Sequence, residues 1–258
     1  MNLNQLLNWS PTYGRHHIDV LLGHETKEDK ISIIFGHMTN FVNADNPEFA
    51  NAALYQDLTS SSGSISLEGY FSRVEYNYDE KYYATASLRR DGSSRFHPDN
   101  RWGTFYSVGA SWRLDKEDFM RDIDAINSLK IKASYGTQGN DNIVLGTTTT
   151  PIFTAYKDLY QIDRVDGEPA MTKVFRGNPD LTWEKGADFN VGFELRAWDK
   201  LNFNTDFFVR KKNDLLFASP LPLSEGNPST IWRNEMDMKN TGIEFDVSYD
   251  IIRTNDIN

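Results

Sequence analysis

The 258-residue sequence contains no cysteine. This excludes a disulfide framework, a thiolate metal site and a cysteine nucleophile. No apolar run approaches the ~20 residues of a membrane-crossing helix. The opening Met1-Asn2-Leu3-Asn4-Gln5 has neither the basic region nor the apolar core of a secretory signal. Basic residues form no long block, and 37 acidic residues outweigh 27 basic ones for a net charge of −10. That balance argues against nucleic acid as the main partner. The histidines at 16, 17, 24, 37 and 97 show no metal-ligand spacing. His16 and His17, adjacent in an extended segment, point to opposite faces and do not readily share an ion. No Gly-rich phosphate loop, GxSxG or HExxH is present. Carboxylate pairs such as Glu75 with Glu80, or Glu244 with Asp246, could serve glycoside hydrolysis. Acidic residues recur on one face of almost every extended run, however, so these pairs read as polar lining. The expectation is a protein that is not an enzyme, with no catalytic residue, no cofactor and no metal.

Large aromatics are what the sequence does have. Apolar residues make up only 39%, below the ~45–50% usual on a slightly wider count, while Phe, Tyr and Trp reach 13%. A polar average with many aromatics suits a barrel with a wet interior and an aromatic-girdled outer surface. It equally suits a secreted sugar-binding sandwich.

Alternation decides more. Ala187, Phe189, Val191, Phe193 and Leu195 interleave with Asp188, Asn190, Gly192, Glu194 and Arg196. Leu201, Phe203, Thr205, Phe207 and Val209 interleave with Asn202, Asn204, Asp206 and Arg210, and only Phe208 breaks the pattern. Further period-two runs occupy 16–25, 82–89, 105–114, 129–136 and 243–251. Segment 65–78 is strand-like, but its apolar face switches near Tyr70 and Phe71, which predicts a bulge. These make eight strands, most about as long as the 9–11 residues of a transmembrane strand rather than the ~5–6 of a soluble one.

The connections alternate in length. Long ones are expected at 26–64, 91–102, 139–183 and 214–237; short ones fall at 78–81 and 199–200. The stretch 115–127 is the exception on the short side, and the spacing of Phe119, Met120, Ile123 and Ile126 predicts a short helix there. Hairpins alternate ends, so every long loop gathers at one rim. Transmembrane barrels have this bias. A soluble antiparallel sandwich also alternates apolar-in and polar-out, so a secreted, soluble carbohydrate-binding β-sandwich is the alternative reading. Strand length and one-sided loops favour the barrel.

The motifs carry a resemblance. The run Lys81-Tyr82-Tyr83-Ala84-Thr85-Ala86-Ser87-Leu88-Arg89-Arg90-Asp91-Gly92-Ser93-Ser94-Arg95-Phe96 is followed by Asn100-Arg101-Trp102-Gly103-Thr104-Phe105-Tyr106-Ser107-Val108-Gly109 and Trp112. Then come Leu129-Lys130-Ile131-Lys132-Ala133-Ser134-Tyr135-Gly136, Gly139-Asn140, and Asn178-Pro179-Asp180-Leu181-Thr182-Trp183-Glu184-Lys185. Asp214-Leu215-Leu216 and Asn240-Thr241-Gly242-Ile243-Glu244 complete the set. Together, in this order and spacing, they resemble SusC/RagA-type TonB-linked outer-membrane proteins (TonB-dependent receptors).

The resemblance implies an all-β fold: an antiparallel up-and-down transmembrane β-barrel, of which residues 1–258 form a partial, about eight-stranded curved sheet with long loops at one end. It implies a parent barrel of 22 strands enclosing a plug, with the plug domain and signal peptide outside these residues. It further implies location in the cell outer membrane, import of an oligosaccharide or peptide, a SusD-like surface lipoprotein as partner, TonB acting through the plug, and membrane lipid around the wall. The charged Arg89, Arg90 and Arg95 near Asp91 read chiefly as a salt-bridged loop anchor. Trp183 reads as an anchor at the membrane interface. Substrate contact is expected from the long loops, with Tyr156, Tyr160 and Trp232 as candidates.

Overall fold

A computed structural model describes residues 1–43, 45–143, 152–165 and 168–251. In chain order the strands are β1 (Asn2–Trp9), β2 (Thr12–Tyr13), β3 (His16–Phe41), β4 (Ala52–Tyr78), β5 (Tyr82–Ser93) and β6 (Trp102–Arg113). They continue as β7 (Ile126–Asn140), β8 (Leu159–Val165), β9 (Glu168–Phe175), β10 (Glu184–Ala197), β11 (Leu201–Pro220) and β12 (Thr230–Tyr249). The main sheet runs β1-β3-β4-β5-β6-β7-β10-β11-β12, with β2 hydrogen-bonded to β3 and β8-β9 a separate hairpin. All pairs are antiparallel. This is an up-and-down meander. The β8-β9 hairpin is too small to be the second layer of a sandwich, so the fold is the barrel-wall alternative.

The eight expected strands are present, joined by β1. Its alternation is blurred because Gln5 stands in the row of Leu3, Leu7 and Trp9, while Leu6 stands in the row of Asn2, Asn4 and Asn8. Three expected loops are shorter than the sequence suggested. In 26–64, β3 and β4 stay paired from Lys27 with Leu67 out to Phe41 with Ala52, with one register shift between His37 and Met38. Residues 60–64, four serines and a glycine, carry no apolar row. In 214–237 the strands continue to Pro220 and resume at Thr230. The loop 139–183 contains β8 and β9. The common reason is physical: a strand that has left the bilayer needs no apolar face, so period two fades although the ladder does not.

Two further expectations are corrected. In 115–127 there are two 3₁₀ turns, Leu114–Lys116 and Asp118–Met120, in place of one helix. Asp115 pins the first by accepting from Arg113 Nε and Nη2 (2.8 and 2.6 Å) and from the Leu129 N–H (3.1 Å). No bulge occurs at Tyr70 and Phe71, where the register with both β3 and β5 is unbroken. The face switches because Phe71 lies over Gly23 of β3; a Cβ there would stand 2.1 Å from the ring. Phe208, the exception in β11, lies over Gly242 of β12 in the same way, with a Cβ at 2.7 Å. Phe105 of β6 covers Gly139 of β7.

Cross-strand register sorts the side chains into two faces. One face carries rows such as Trp9, Val20, Val74, Ala86 and Val108, and Ile131, Phe193, Thr205 and Phe245. The other carries Asp19, Arg73, Glu75, Thr85, Lys132, Asn190, Glu194 and Asp206. Large apolar residues on the first face are open, with Phe245 74% and Leu88 52% exposed. That exposure fits a surface solvated by lipid. Near the short turns, stacked or tilted rings form a ladder of His16, Tyr78, Tyr82 and Trp112, with centroids 4.8 to 6.2 Å apart. Eight residues along β4 separate Tyr78 from Tyr70, which with His24 and Trp102 forms the opposite ring cluster. At ~3.3 Å per residue and a ~40° tilt, the two girdles stand about 20 Å apart, close to the ~25 Å apolar band of an outer-membrane barrel.

In a full-length receptor, Gly23→Val drives Phe71 off its seat. The expected cost is that of overpacking, about 1–3 kcal/mol, read as a lower urea midpoint in detergent. Phe71→Ala in the same chain should recover part of it, and an unchanged midpoint for Gly23→Val would refute the seating.

Candidate functional site

The polar face and the rim of long loops form one candidate site. On the polar face Lys132 bridges strands, with Nζ 3.1 Å from Glu194 Oε1 and 3.0 Å from Asp206 Oδ2, while Lys130 Nζ lies 3.6 Å from Glu194 Oε2. Period two places all four on one side of β7, β10 and β11. Lys132 and Asp206 border a concavity of about 400 Å³ with Tyr83, Thr85, Ser111 and Asn190. Nearer the rim, Arg89 Nε donates to both oxygens of Asp91 (2.8 and 2.7 Å) and its Nη2 pairs with Glu25. This confirms the anchor at Arg89. Arg95 is a second anchor, its Nη1 donating to the Asp141 carbonyl at 2.7 Å and lying 3.6 Å from Asp141 Oδ1, whereas Arg90 lies on the opposite face over the Trp102 ring.

Above the wall the loops build the fold's buried apolar cluster. Phe96, Phe105, Ile143, Ile152, Ala155, Phe175, Leu181 and Trp183 are buried together, with Leu159, Leu216 and Trp232 packed against them. The membrane band contributes little to this core; it collects where chain re-enters from long connections. Backbone and amide bonds lock the loops to one another. The Ala155 N–H donates to Arg95 O, the Asn178 N–H to Ala155 O, and Asn178 Nδ2 to Trp232 O (3.0, 3.0 and 2.9 Å). Asn234 Nδ2 donates to Thr182 O, and the Thr182 N–H returns a bond to Asn234 Oδ1, each 3.0 Å. Gly177 is required here, since a Cβ would stand 2.3 Å from the Lys157 backbone.

Trp183 is therefore neither a membrane-interface anchor nor a surface platform. It is 6% exposed, sits edge-on to Phe105 and donates from Nε1 to the Arg101 carbonyl at 2.8 Å. A tryptophan buried with its N–H satisfied acts as a rivet. The three candidate contact residues take different places around that core. Trp232 packs on it, half-buried. Tyr156 is half-buried, edge-on to His97 with Lys157 Nζ 5.3 Å from its ring. Tyr160 is 50% exposed on β8, with Lys173 Nζ 5.5 Å from its ring. Sequence reasoning missed the ties that hold them, Asn178 and Asn234. Asn178 had a signal in the Asn-Pro-Asp turn at 178–180, whereas Asn234 sits within β12 with no local signal.

Electrostatics fix the β8-β9 hairpin from its root. The Lys173 ammonium and then the Gly177 N–H hold the Asp158 carboxyl below the usual carboxylate range. Asp158 in turn holds Lys173 above the usual ammonium range. At the opposite end, the Tyr82 hydroxyl and the Trp112 indole hold Glu117 low, with Lys81 adding its charge. Among the described residues no group of His, Asp and Glu is arranged to hold a metal.

A meander with a lipid-facing apolar side, a charged inner side and a packed crown of loops at one rim defines a segment of an outer-membrane β-barrel. The sequence matches the TonB dependent receptor-like β-barrel family over residues 2–257, and the chain belongs to that family. It is 35% identical over 208 residues to TonB-dependent receptor P39 of Formosa agariphila, covering 80% of this chain and 19% of that one. To TonB-dependent receptor SusC of Bacteroides thetaiotaomicron it is 29% identical over 205 residues, covering 79% and 20%. Among solved structures it is similar to the RagAB peptide importer in the closed-closed state, with a TM-score of 0.86, 26% identity, and coverage of 98% of this chain and 28% of that one. The chain thus spans about a fifth of the curated relatives' length. These relatives are SusC/RagA-type receptors of the outer membrane, and this chain is a partial barrel of that type.

The Asp158–Lys173 tie sets a pH window. Asp158 has a lowered native pKa, so its contribution is present above the ordinary value of about 4 and is lost as pH falls through the native value. Lys173 has a raised one, so its share is present below about 10 and is lost as pH rises through the native value. Protease protection of 158–175 should be flat across neutral pH and fall at both ends. Asp158→Asn should remove the acid limb; an acid limb that persists in this variant would refute the assignment.

Proposed function

We propose that this chain forms part of the wall and the external mouth of an outer-membrane import receptor, taking up an oligosaccharide or a peptide. The observation that carries the reading is the loop core, riveted to one rim of the wall directly above a charged inner face. A crown of this kind holds contact groups still at the entrance of a polar passage, which lowers the ordering cost of binding. The inner face, with Lys130, Lys132, Glu194 and Asp206, suits a hydrated passage or the polar surface of a plug. Energy coupling then belongs to TonB through a plug domain, and delivery of cargo to a SusD-like surface lipoprotein seated on the loops.

Cargo contact is assigned to Tyr160, with Tyr156 and Trp232 as nearby aromatics on the same loops. An aromatic face offers stacking to a sugar ring or to an apolar peptide side chain. The test is growth of the parent bacterium on defined oligosaccharides or on oligopeptides as sole carbon source. Deletion of the full-length receptor should abolish growth on one class, and growth unaffected on both would overturn the import reading. Tyr160→Ala should weaken cargo binding by the purified receptor about fivefold or more, the ~1 kcal/mol scale on which truncated contact aromatics register. Asp158→Asn, which keeps the ring, should weaken it less.

A further inference from the structure

Where the inner face meets the loop core, the wall holds a pocket of about 300 Å³ lined by Asn2, Asn4, Glu25, Arg89, Asp141 and Trp183 among others. Register builds it from two cross-strand rows. The first reads Asn4, Glu25, Gly69 and Asp91; the next outward reads Asn2, Lys27, Leu67 and Ser93. Gly69 opens the gap, since a Cβ there would stand 2.6 Å from Asp91 Oδ1 and 2.9 Å from Arg89 Nη2. The Ser93 hydroxyl donates to Asp141 Oδ2 at 2.7 Å and ties the outer end of the pocket to the loops. Leu67 and Trp183 supply its apolar surface.

The charges around this pocket are already matched. Arg89 is held between Asp91 and Glu25. Lys27 Nζ lies 2.7 Å from Asp29 Oδ2, and Arg95 Nη1 lies 3.6 Å from Asp141 Oδ1. What stays open is neutral hydrogen-bonding capacity and one spare oxygen. The Asn2 and Asn4 amides are exposed and make no hydrogen bond among the described residues, and Arg89 engages only Oε1 of Glu25. Each amide offers donors and an acceptor side by side, and the second Glu25 oxygen accepts. An ammonium entering here meets Arg89 and Lys27 as like charges; a phosphate or carboxylate meets Glu25, Asp91 and Asp141. Like-charge juxtaposition of this kind excludes a partner. A hydroxyl donates and accepts without either penalty.

We propose that this pocket binds a neutral sugar unit of an oligosaccharide cargo. Its hydroxyls meet Asn2, Asn4 and Glu25 Oε2, and its C–H groups lie against Leu67 and Trp183. The proposal rests on the import reading and narrows the cargo to uncharged glycan. The volume is at the small end of the ~300–1,000 Å³ of ligand pockets, which suits one unit of a chain that continues along the interior. The contacting Asn2, Asn4 and Glu25 lie outside the motifs that carry the family resemblance, whereas Arg89, Asp91 and Trp183, which frame them, lie within. The pocket selects the class of cargo and leaves discrimination among glycans to the exposed rim.

The test presents the full-length receptor, purified in detergent, to an array of immobilised probes. These are neutral oligosaccharides (of glucose, mannose and xylose), acidic ones (of galacturonate and mannuronate) and a library of oligopeptides. The strongest binder is then titrated in solution. Retention on neutral oligosaccharides alone is the expected result. Asn2→Ala and Asn4→Ala should each weaken the titrated affinity about fivefold, the net worth of one neutral hydrogen bond. Neither amide has a partner to lose in the unliganded wall, and folding of each variant is checked by heat-dependent gel mobility. Affinity undiminished in the double variant Asn2→Ala/Asn4→Ala would overturn the pocket. Retention on acidic oligosaccharides or oligopeptides in place of neutral ones, or on no probe, would overturn the ligand class. Growth separates this outcome from failure of the import reading: a deletion strain that loses growth on oligopeptides alone sinks the sugar pocket and leaves import standing.

Discussion

Everything in this chain depends on the backbone ladder. Within a bilayer no water satisfies a peptide N–H or C=O, so a spanning sheet must pair each strand along its whole crossing. The pairing from β3 through β12 meets that demand over most of the girdled band; between β6 and β7 the ladder begins at Ser107 with Gly136, and just outside it the Thr137 hydroxyl accepts from the Tyr106 N–H and donates to the Tyr106 carbonyl. Once the ladder is fixed, parity is fixed too: each residue faces lipid or the interior with no freedom to choose. The long apolar rows and the Lys132–Glu194–Asp206 bridge are then two sides of one constraint.

The ladder leaves curvature to be solved by side chains. Phe71 over Gly23, Phe208 over Gly242 and Phe105 over Gly139 repeat one device on the inner face. Glycine opens the backbone on one strand, and a ring from its neighbour fills the gap. Glycine alone would weaken the strand; the ring restores the contact while permitting close, strongly bent packing. In two of the three, an arginine of the interior lies over the ring, with Arg89 above Phe71 and Arg210 above Phe208. The ring is thereby covered by a charged group on the inner face.

This device also marks how far the sequence could be read. The eight alternating strands were legible because lipid imposes an apolar residue at every second position. The same logic made Phe71 and Phe208 look like faults, since a single strand's pattern does not reveal a glycine on the strand beside it. The extensions of β3, β4, β11 and β12 beyond the membrane were illegible for the opposite reason: the ladder persists there but the lipid that writes the pattern is gone. Trp183 shows a third limit. Tryptophan near a strand end is common to an interface anchor and to a loop rivet, and only the Arg101 carbonyl waiting at 2.8 Å separates them. The candidate site was legible as a set of loops and only coarsely as residues, because its geometry comes from ties such as Asn178 to Trp232 and Asn234 to Thr182. Those ties join positions 52 to 54 apart, beyond the reach of any local pattern.

The distribution of packing says what this piece can and cannot do. The wall buries little of its own; its large side chains are spent on lipid, and its order comes from the ladder. The loop core is the converse, a small soluble-like cluster with Phe96, Ile143 and Leu181 fully buried. Two solvents thus stabilise two halves of one chain, and they meet where β5 and β6 leave the girdle at Trp102. A receptor built in this way can vary its loops without disturbing the ladder, since the ladder does not depend on their packing. It cannot vary the Phe–Gly seats or the rivet so freely. On the proposed import reading, specificity for cargo belongs to the exposed rim of the core, where Tyr160 stands, and not to the residues that make the family recognisable.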